Sequence, residues 1–417
     1  MPQRPVHDEP SRFQRVVAVF LIFLRLGCTS FGGPVAHLAF FRTEFVERRR
    51  WLDERSYADL VALCQFLPGP ASSQVGMALG LLRAGMPGAL AAWLGFTLPS
   101  ALVLALFGLG LAAGATVLSA GALHGLKVVA VAVVAQAVWG MARSLCVGRA
   151  RVTLMALSAC AVLWWPGVGA QVGVMLVAGG VGWWLFGRGT EALSAQAPGL
   201  AEDGLHVPVR RRTGAVLLLV FAALLVLLPL AVSLWPGRVL ALFDAFYRVG
   251  ALVFGGGHVM LPLLQAVVVP PGWVSADAFL AGYGATQAVP GPLFTFAAFL
   301  GAAMAPWPGG WIAALVCLAA IFLPSFLLVA GALPFWEPLR RSAPAQAALA
   351  GVNAAVVGLL LAALYDPVWT SAILGAADFG LALLAFVALV FWRVPPWAVV
   401  LGSGVAGALL AHGGPVF

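Results

Sequence analysis

Long apolar runs separated by short polar breaks organise the whole chain. They lie at about 13–33, 57–84, 87–113, 118–143, 150–165 and 168–187, then at 213–233, then at 238–257, 275–305, 308–333, 345–365, 369–391 and 396–414. A bilayer-crossing helix needs about 20 such residues, so the pattern predicts an all-α integral membrane protein. The runs 57–84 and 275–305 exceed that length, and each is cut by a Pro-Gly-Pro triplet, at 68–70 and 290–292. Proline disfavours helix in the residue before it, whereas a following proline suits a first helical turn. Each long run is therefore expected to be two half-helices meeting at membrane depth in one passage, rather than a re-entrant hairpin. The expected count is six spans, one linking span, then six.

The two sets of six are copies. Arg25, Gly27 and Phe31-Gly32-Gly33 recur as Arg248, Gly250 and Phe254-Gly255-Gly256 at an offset of 223. Trp51, Gln65 and Pro68-Gly69-Pro70 recur as Trp273, Gln287 and Pro290-Gly291-Pro292 at 222, and Pro99-Ser100 as Pro324-Ser325 at 225. Residues 1–187 read as a first transporter repeat, 188–236 as a cytoplasmic linker with the linking helix, and 237–417 as a second repeat. Six spans return the chain to its starting side, so the odd linking helix predicts inverted repeats. Paired, Gly/Pro-interrupted membrane segments point to a secondary transporter with its site at the repeat interface.

Composition and charge agree. The chain is 62% apolar and 9% charged, more apolar surface than a soluble domain hides. The net charge of +8 is almost wholly arginine, Lys127 being the lone lysine. Arginine-rich loops mark the cytoplasmic side, which predicts a cytoplasmic N-terminus, a plasma or inner-membrane location and no nucleic-acid partner. On this reading the loop 42–56, with five arginines and four acids, falls outside. The five cysteines stand singly, with no CxxC, and read as free thiols. The first apolar run leads straight into the repeat motif and reads as a retained helix. No P-loop, HExxH or GxSxG is present, so neither an enzyme nor a metal or cofactor site is expected. Small residues on the helices permit a homodimer.

Several residues carry candidate chemistry. Arg25 and Arg248 occupy equivalent intramembrane places; their planar forks suit an oxyanion, while Asp244 one turn earlier offers Arg248 a structural partner. Gly32, Gly33, Gly255 and Gly256, and the breaks Pro68-Gly69-Pro70 and Pro290-Gly291-Pro292, free backbone N–H groups where helix starts attract anions. Gln65 and Gln287, three residues before each break, add neutral donors. Lys127, with Asn353 as counterpart, adds a charge. His37, His258 and Asp378, the last near the middle of its expected span, are proton-coupling candidates.

These motifs together, FGGPVAH at 31–37, RRWL at 49–52, QFLPGPASSQ at 65–74, FGGGH at 254–258 and QAVPGP at 287–292, closely resemble the chromate ion transporter family in its long, two-domain form. The resemblance covers nearly the whole chain. It implies efflux of chromate from the cytoplasm, with resistance to chromate as the consequence and sulfate as the related oxyanion. The second copy departs at Gly257, which stands where the first has Pro34, and at Asn353 for Lys127. A transporter of sulfate or molybdate, or an anion channel, remains open at this stage.

Overall fold

The computed structural model describes residues 11–114, 119–187, 209–304, 309–340 and 342–413, and every regular element among them is helical. Most of the expected polar linker, 188–208, lies outside the described residues. Six helices are long and apolar enough to cross a membrane: Ala71–Ala112, Ala120–Leu145, Gly169–Phe186, Arg211–Leu234, Gly310–Arg340 and Ala343–Ala372.

Helix α1 (Arg12–Thr29) starts in a capping box between Ser11 and Gln14. It stops where Gly32 and Gly33 adopt φ of 101° and 76°, and α2 (Gly33–Arg42) starts there with Pro34 in its first turn. A π-turn (Thr43–Arg48) and an Asp53 cap lead to α3 (Glu54–Phe66). Residues 67–70 are non-helical, and α4 (Ala71–Ala112) follows. This helix is bent double at Ala84 and Gly85, so that Gly80 in its first arm packs on the backbone of Gly88 in its second.

Contacts fix the direction of each piece. The guanidinium of Arg12 reaches Gly85, and Gly27 lies against the backbone of Gly95 and Phe96, so α1 runs parallel to the second arm of α4. Arg42 bonds Glu54, and Arg83 stands over the ring of Trp51. Hence α1/α2 and α3/first arm of α4 are two helical hairpins. Their open ends lie together at one end of the molecule, called here the Arg83 end, and their tips lie inside.

The second half repeats the plan. After α5 (Ala120–Leu145), α6 (Arg149–Trp164), α7 (Val168–Phe186) and α8 (Arg211–Leu234), α9 (Arg238–Leu252) and α10 (Met260–Val268) flank a tip at 253–259. Helices α11 (Ala276–Thr286) and α12 (Phe296–Ala303) flank a tip at 287–295, and α13 (Gly310–Ala332) follows. Leu109 of α4 meets Gly310, while Trp93 meets Phe322 and Phe326, so α13 runs antiparallel to the second arm of α4. A short helix, Trp336–Arg340, leads to α14 (Ala343–Ala363), α15 (Ala376–Val390) and α16 (Pro396–Gly413). The late helices are exchanged between halves: α5 packs on α15 and α16, and α14 packs on α6 and α7. Glycines permit these close approaches, Gly121 and Gly125 against Gly407 in one pair and Gly182 against Gly351 in the other.

The expectation of one passage through each break is corrected. The structure returns both arms of each break to the same end of the molecule. Contacts give the reason: around the first break Arg83 lies over Trp51, and around the second Ala303 lines the same cleft as Trp273 and Ser275. The runs 13–33 and 238–257 likewise end at interior tips.

Candidate functional site

The four tips meet, and they bond across the halves. The Gly69 N–H donates to the carbonyl of Val253 at 2.7 Å, and the Gly291 N–H donates to the carbonyl of Ser30 at 3.0 Å. Gly69 and Gly291 are counterparts in the duplication, and so are Ser30 and Val253. A Cβ on Gly69 would stand 2.8 Å from Ser325 Oγ, and one on Gly291 would stand 2.8 Å from Ser100 Oγ, again a matched pair. Glycine is required at both places, since φ is 123° and 104° there. Each break is thus seated against the other half.

Helices also start at these tips. At Gly32, Pro70, Gly256 and Pro292 the starts have no side-chain cap; those at Gly148, Gly167, Arg210, Gly237, Gly309 and Gly375 lack one too, so the inward place of the four tips is what sets them apart. Uncapped starts leave N–H donors and a partial positive charge facing inward. No Asp or Glu occurs in 30–37, 65–74, 253–260 or 287–296. Buried polar side chains surround the tips. His37 is 1% exposed, and its ring nitrogens lie 3.4 Å from Ser72 Oγ and 3.2 Å from the Ser30 carbonyl. Gln74 donates to the Pro68 carbonyl at 2.7 Å. The hydroxyls of Ser30, Ser73, Thr97 and Ser325 are buried without a hydrogen-bond partner. Such groups cost free energy unless a ligand or ordered water satisfies them.

The sequence candidates divide by location. Gly32, Gly33, Gly255, Gly256, Pro68, Gly69, Pro70, Pro290, Gly291 and Pro292 all stand at the tips, as does the half-buried Gln287, whose buried Nε2 has no partner. Asn353 lies beside Gly255, its Oδ1 3.7 Å from a Cβ placed there. Arg25 is one turn back from its tip, bonded at 2.7 Å to buried Glu44, which also takes Arg49 at 2.7 Å and Arg48 at 3.5 Å. Arg248 bonds Asp244 at 2.5 Å, the structural partner offered by spacing. Gln65 faces a cleft of about 340 Å³ beside Arg42, Glu54 and Tyr57. Lys127 bonds Asp277 at 2.9 Å within a cleft of about 610 Å³ at the opposite end, shared with His124 and Trp273.

Of the coupling candidates, His37 and His258 stand at tips, the latter bonded to Tyr283 Oη at 2.8 Å. Asp378 does not lie near the middle of a span. It occupies the first turn of α15, where it accepts from His124 at 2.8 Å and from the Leu374 N–H at 3.0 Å. The sequence reading passed over Ser30, Ser72, Ser73, Gln74, Thr97 and the pair Ser100/Ser325. Ser72, Ser73 and Gln74 had a signal in the ASSQ segment after the first break, and Ser100 and Ser325 in the repeated Pro-Ser; Ser30 and Thr97 had none. Among the described residues no cluster of three or more His, Cys, Asp or Glu is placed to hold a metal ion.

The chromate transporter family model matches residues 17–183 and 240–408, the two halves found above. A chromate transport protein of Pseudomonas aeruginosa is 29% identical over 94% of this chain and 92% of its own length. Another, of Cupriavidus metallidurans, is 28% identical over 96% and 94%. A probable chromate transport protein of Synechococcus elongatus is 28% identical over 82% and 81%. No solved structure matches. The chain, a multi-pass membrane protein with a duplicated motif set in both matched segments, belongs to the chromate transporter family.

Proposed function

We propose that this protein is a secondary transporter that exports chromate, and with it the similar dianion sulfate, from the cytoplasm by alternating access, so that cells carrying it resist chromate. The two halves, 1–187 and 237–417, act as inverted repeats joined by 188–236. The antiparallel course of α13 and the second arm of α4 supports the inversion. The Arg83 end carries Arg12, Arg15, Arg42, Arg48, Arg49, Arg50, Arg55, Arg83, Arg211, Arg212 and Arg340, so it is assigned to the cytoplasm together with the N-terminus. The five arginines of 42–56, awkward while the breaks read as single passages, thereby join the cytoplasmic set.

One observation carries the transport reading: four uncapped helix starts and buried, unpartnered hydroxyls converge where the halves bond each other. Chromate offers only acceptors and two negative charges, and this region offers donors without carboxylates. Irregular backbone inside a bilayer is stable only where it is buried in protein or lines a cavity. The site lies between the two hairpin sets, so rocking one against the other exposes it to either side in turn. Expelling a dianion from a cell negative inside is favourable by about 2.3 kcal/mol per charge per 100 mV. His37, which joins the starts of α2 and α4 to the end of α1, is the coupling group assigned here.

Uptake of labelled chromate into inverted membrane vesicles tests the function. Saturable uptake, competed by sulfate and abolished by collapsing the proton gradient, is expected. Uptake that rises linearly with concentration would indicate a channel, and uptake of molybdate with none of chromate would move the assignment to another oxyanion.

A further inference from the structure

The two halves share the hairpin plan but not its chemistry, and the asymmetry locates the ligand. In the first half the buried tip positions are Ser30, His37, Ser72, Ser73, Gln74 and Thr97; at the offsets that align the motifs, the second half has Val253, Met260, Phe294, Thr295, Phe296 and Phe322. All twelve are buried, none more than 3% exposed. The second-half residues satisfy one another: Phe294 packs on Phe322 at 5.7 Å, Phe296 on Phe279 at 5.2 Å, and Thr295 Oγ1 donates to the Pro292 carbonyl at 2.7 Å. The first-half hydroxyls of Ser30, Ser73 and Thr97 have no partner.

The helix starts differ in the same sense. After Pro70 the chain enters a regular α-helix at once, whereas after Pro292 it makes a 3₁₀ turn, Leu293–Thr295, before an eight-residue helix. Only the former aligns several amide dipoles behind its first N–H groups. Nearby charge differs too. In the first half three arginines surround one carboxylate, Glu44; in the second, one arginine meets one carboxylate, Asp244.

We infer that a single oxyanion binds at the start of α4, held by the Ala71–Ser73 amides and the hydroxyls of Ser30 and Ser73, with Ser325 supplied by the second half. Ser325 Oγ is unpartnered, 0% exposed and aimed at Gly69, the residue before Pro70. His37 and Gln74 are positioning residues, one on Ser72 and the other on the Pro68 carbonyl. The second half contributes an aromatic wall and a backbone hinge. This assignment rests on the oxyanion reading above and deepens it by naming the ligand-bearing half.

Equilibrium binding of labelled sulfate and of chromate to the purified full-length protein tests it. Loss of one hydrogen bond to a charged ligand weakens binding about tenfold or more, the expectation for Ser73→Ala and for Ser30→Ala. Ser73→Thr, which keeps the hydroxyl, is expected to restore affinity, and the mirror variant Thr295→Val to leave it unchanged. Unaltered affinity in both alanine variants, or an equal loss in Thr295→Val, overturns the asymmetric site while leaving the transporter reading intact. Wild-type protein that binds neither anion overturns both.

Discussion

The guanidinium of Arg83 stands 5.3 Å over the ring of Trp51, joining the loop that enters α3 to the far end of the first arm of α4. The two flank the Pro-Gly-Pro break on either side, so the contact makes that segment a hairpin rather than a passage. Cysteines placed at Arg50 and Arg83 in a cysteine-free background should therefore react with an impermeant thiol reagent from the same face of the membrane. A cysteine at Gly272, beyond the corresponding end in the second half, should react from the opposite face. Labelling at 50 and 83 from opposite faces would restore the single-passage reading.

Gly69 and Gly291 have no room for a side chain. At Gly69 a Cβ would meet Gln74 Nε2 at 2.5 Å and Ser325 Oγ at 2.8 Å, in a backbone region that side chains rarely adopt. Gly69→Ala is expected to lose transport and about 1–3 kcal/mol of stability, read as a lower midpoint of thermal unfolding. Gly173→Ala, within α7 and with nothing within 4 Å, should be neutral or slightly stabilising.

Glu44 anchors the first hairpin. Its carboxylate is 4% exposed and faces Arg25, Arg48 and Arg49, whose side chains are 55%, 65% and 38% exposed. Removing the carboxylate leaves three like charges together, whereas removing Arg25 leaves two good partners. Glu44→Ala is thus expected to cost about 1–3 kcal/mol after allowance for the wet guanidiniums, and Arg25→Ala about 1 kcal/mol or less. Membrane yield and thermal midpoints of both variants check this order. If Arg25→Ala unfolds the protein while Glu44→Ala does not, the anchor has been misidentified.

Two ion pairs tie hairpins of one half to scaffold of the other, one at each end of the molecule. Asp59 of α3 holds Arg340 at 2.8 Å, and Asp277 of α11 holds Lys127 at 2.9 Å. On the alternating-access proposal, rocking of the hairpins stretches these pairs in turn. Lys127→Asp places like charges together and should slow transport about tenfold, and adding Asp277→Lys should recover most of the loss, as expected of direct coupling. Failure of the double variant to recover would show that Lys127 acts on something other than Asp277.

The first turn of α3 responds to acid in a defined direction. Hydrogen bonds from Ser56, backbone first, hold the exposed Asp53 carboxyl below its ordinary value of 3.8. Its capping contribution is therefore complete above that value and fades only as the pH falls through the lower folded value. Asp53→Ala should cost about 1 kcal/mol at neutral pH, and the difference from wild type should shrink in strong acid. A gap between the two unfolding midpoints that grows on acidification would contradict the cap.

Length of apolar run, the duplicated glycine and proline motifs and the arginine-rich loops are local properties. From them alone the helical membrane class, the two halves, the sites of the breaks and the family resemblance were legible. Helix direction after each break was not, because a positive-φ glycine between prolines allows both continuation and reversal. Packing chose reversal, setting Trp51 under Arg83 around the first break and Ala303 beside Trp273 and Ser275 around the second. Nor could sequence show that Arg25 is claimed by Glu44, nineteen residues on, or that small residues such as Ser30 and Ser73 are buried without partners. Hydrogen-bond satisfaction belongs to the folded neighbourhood rather than to any residue type, and here that neighbourhood is built from both halves at once.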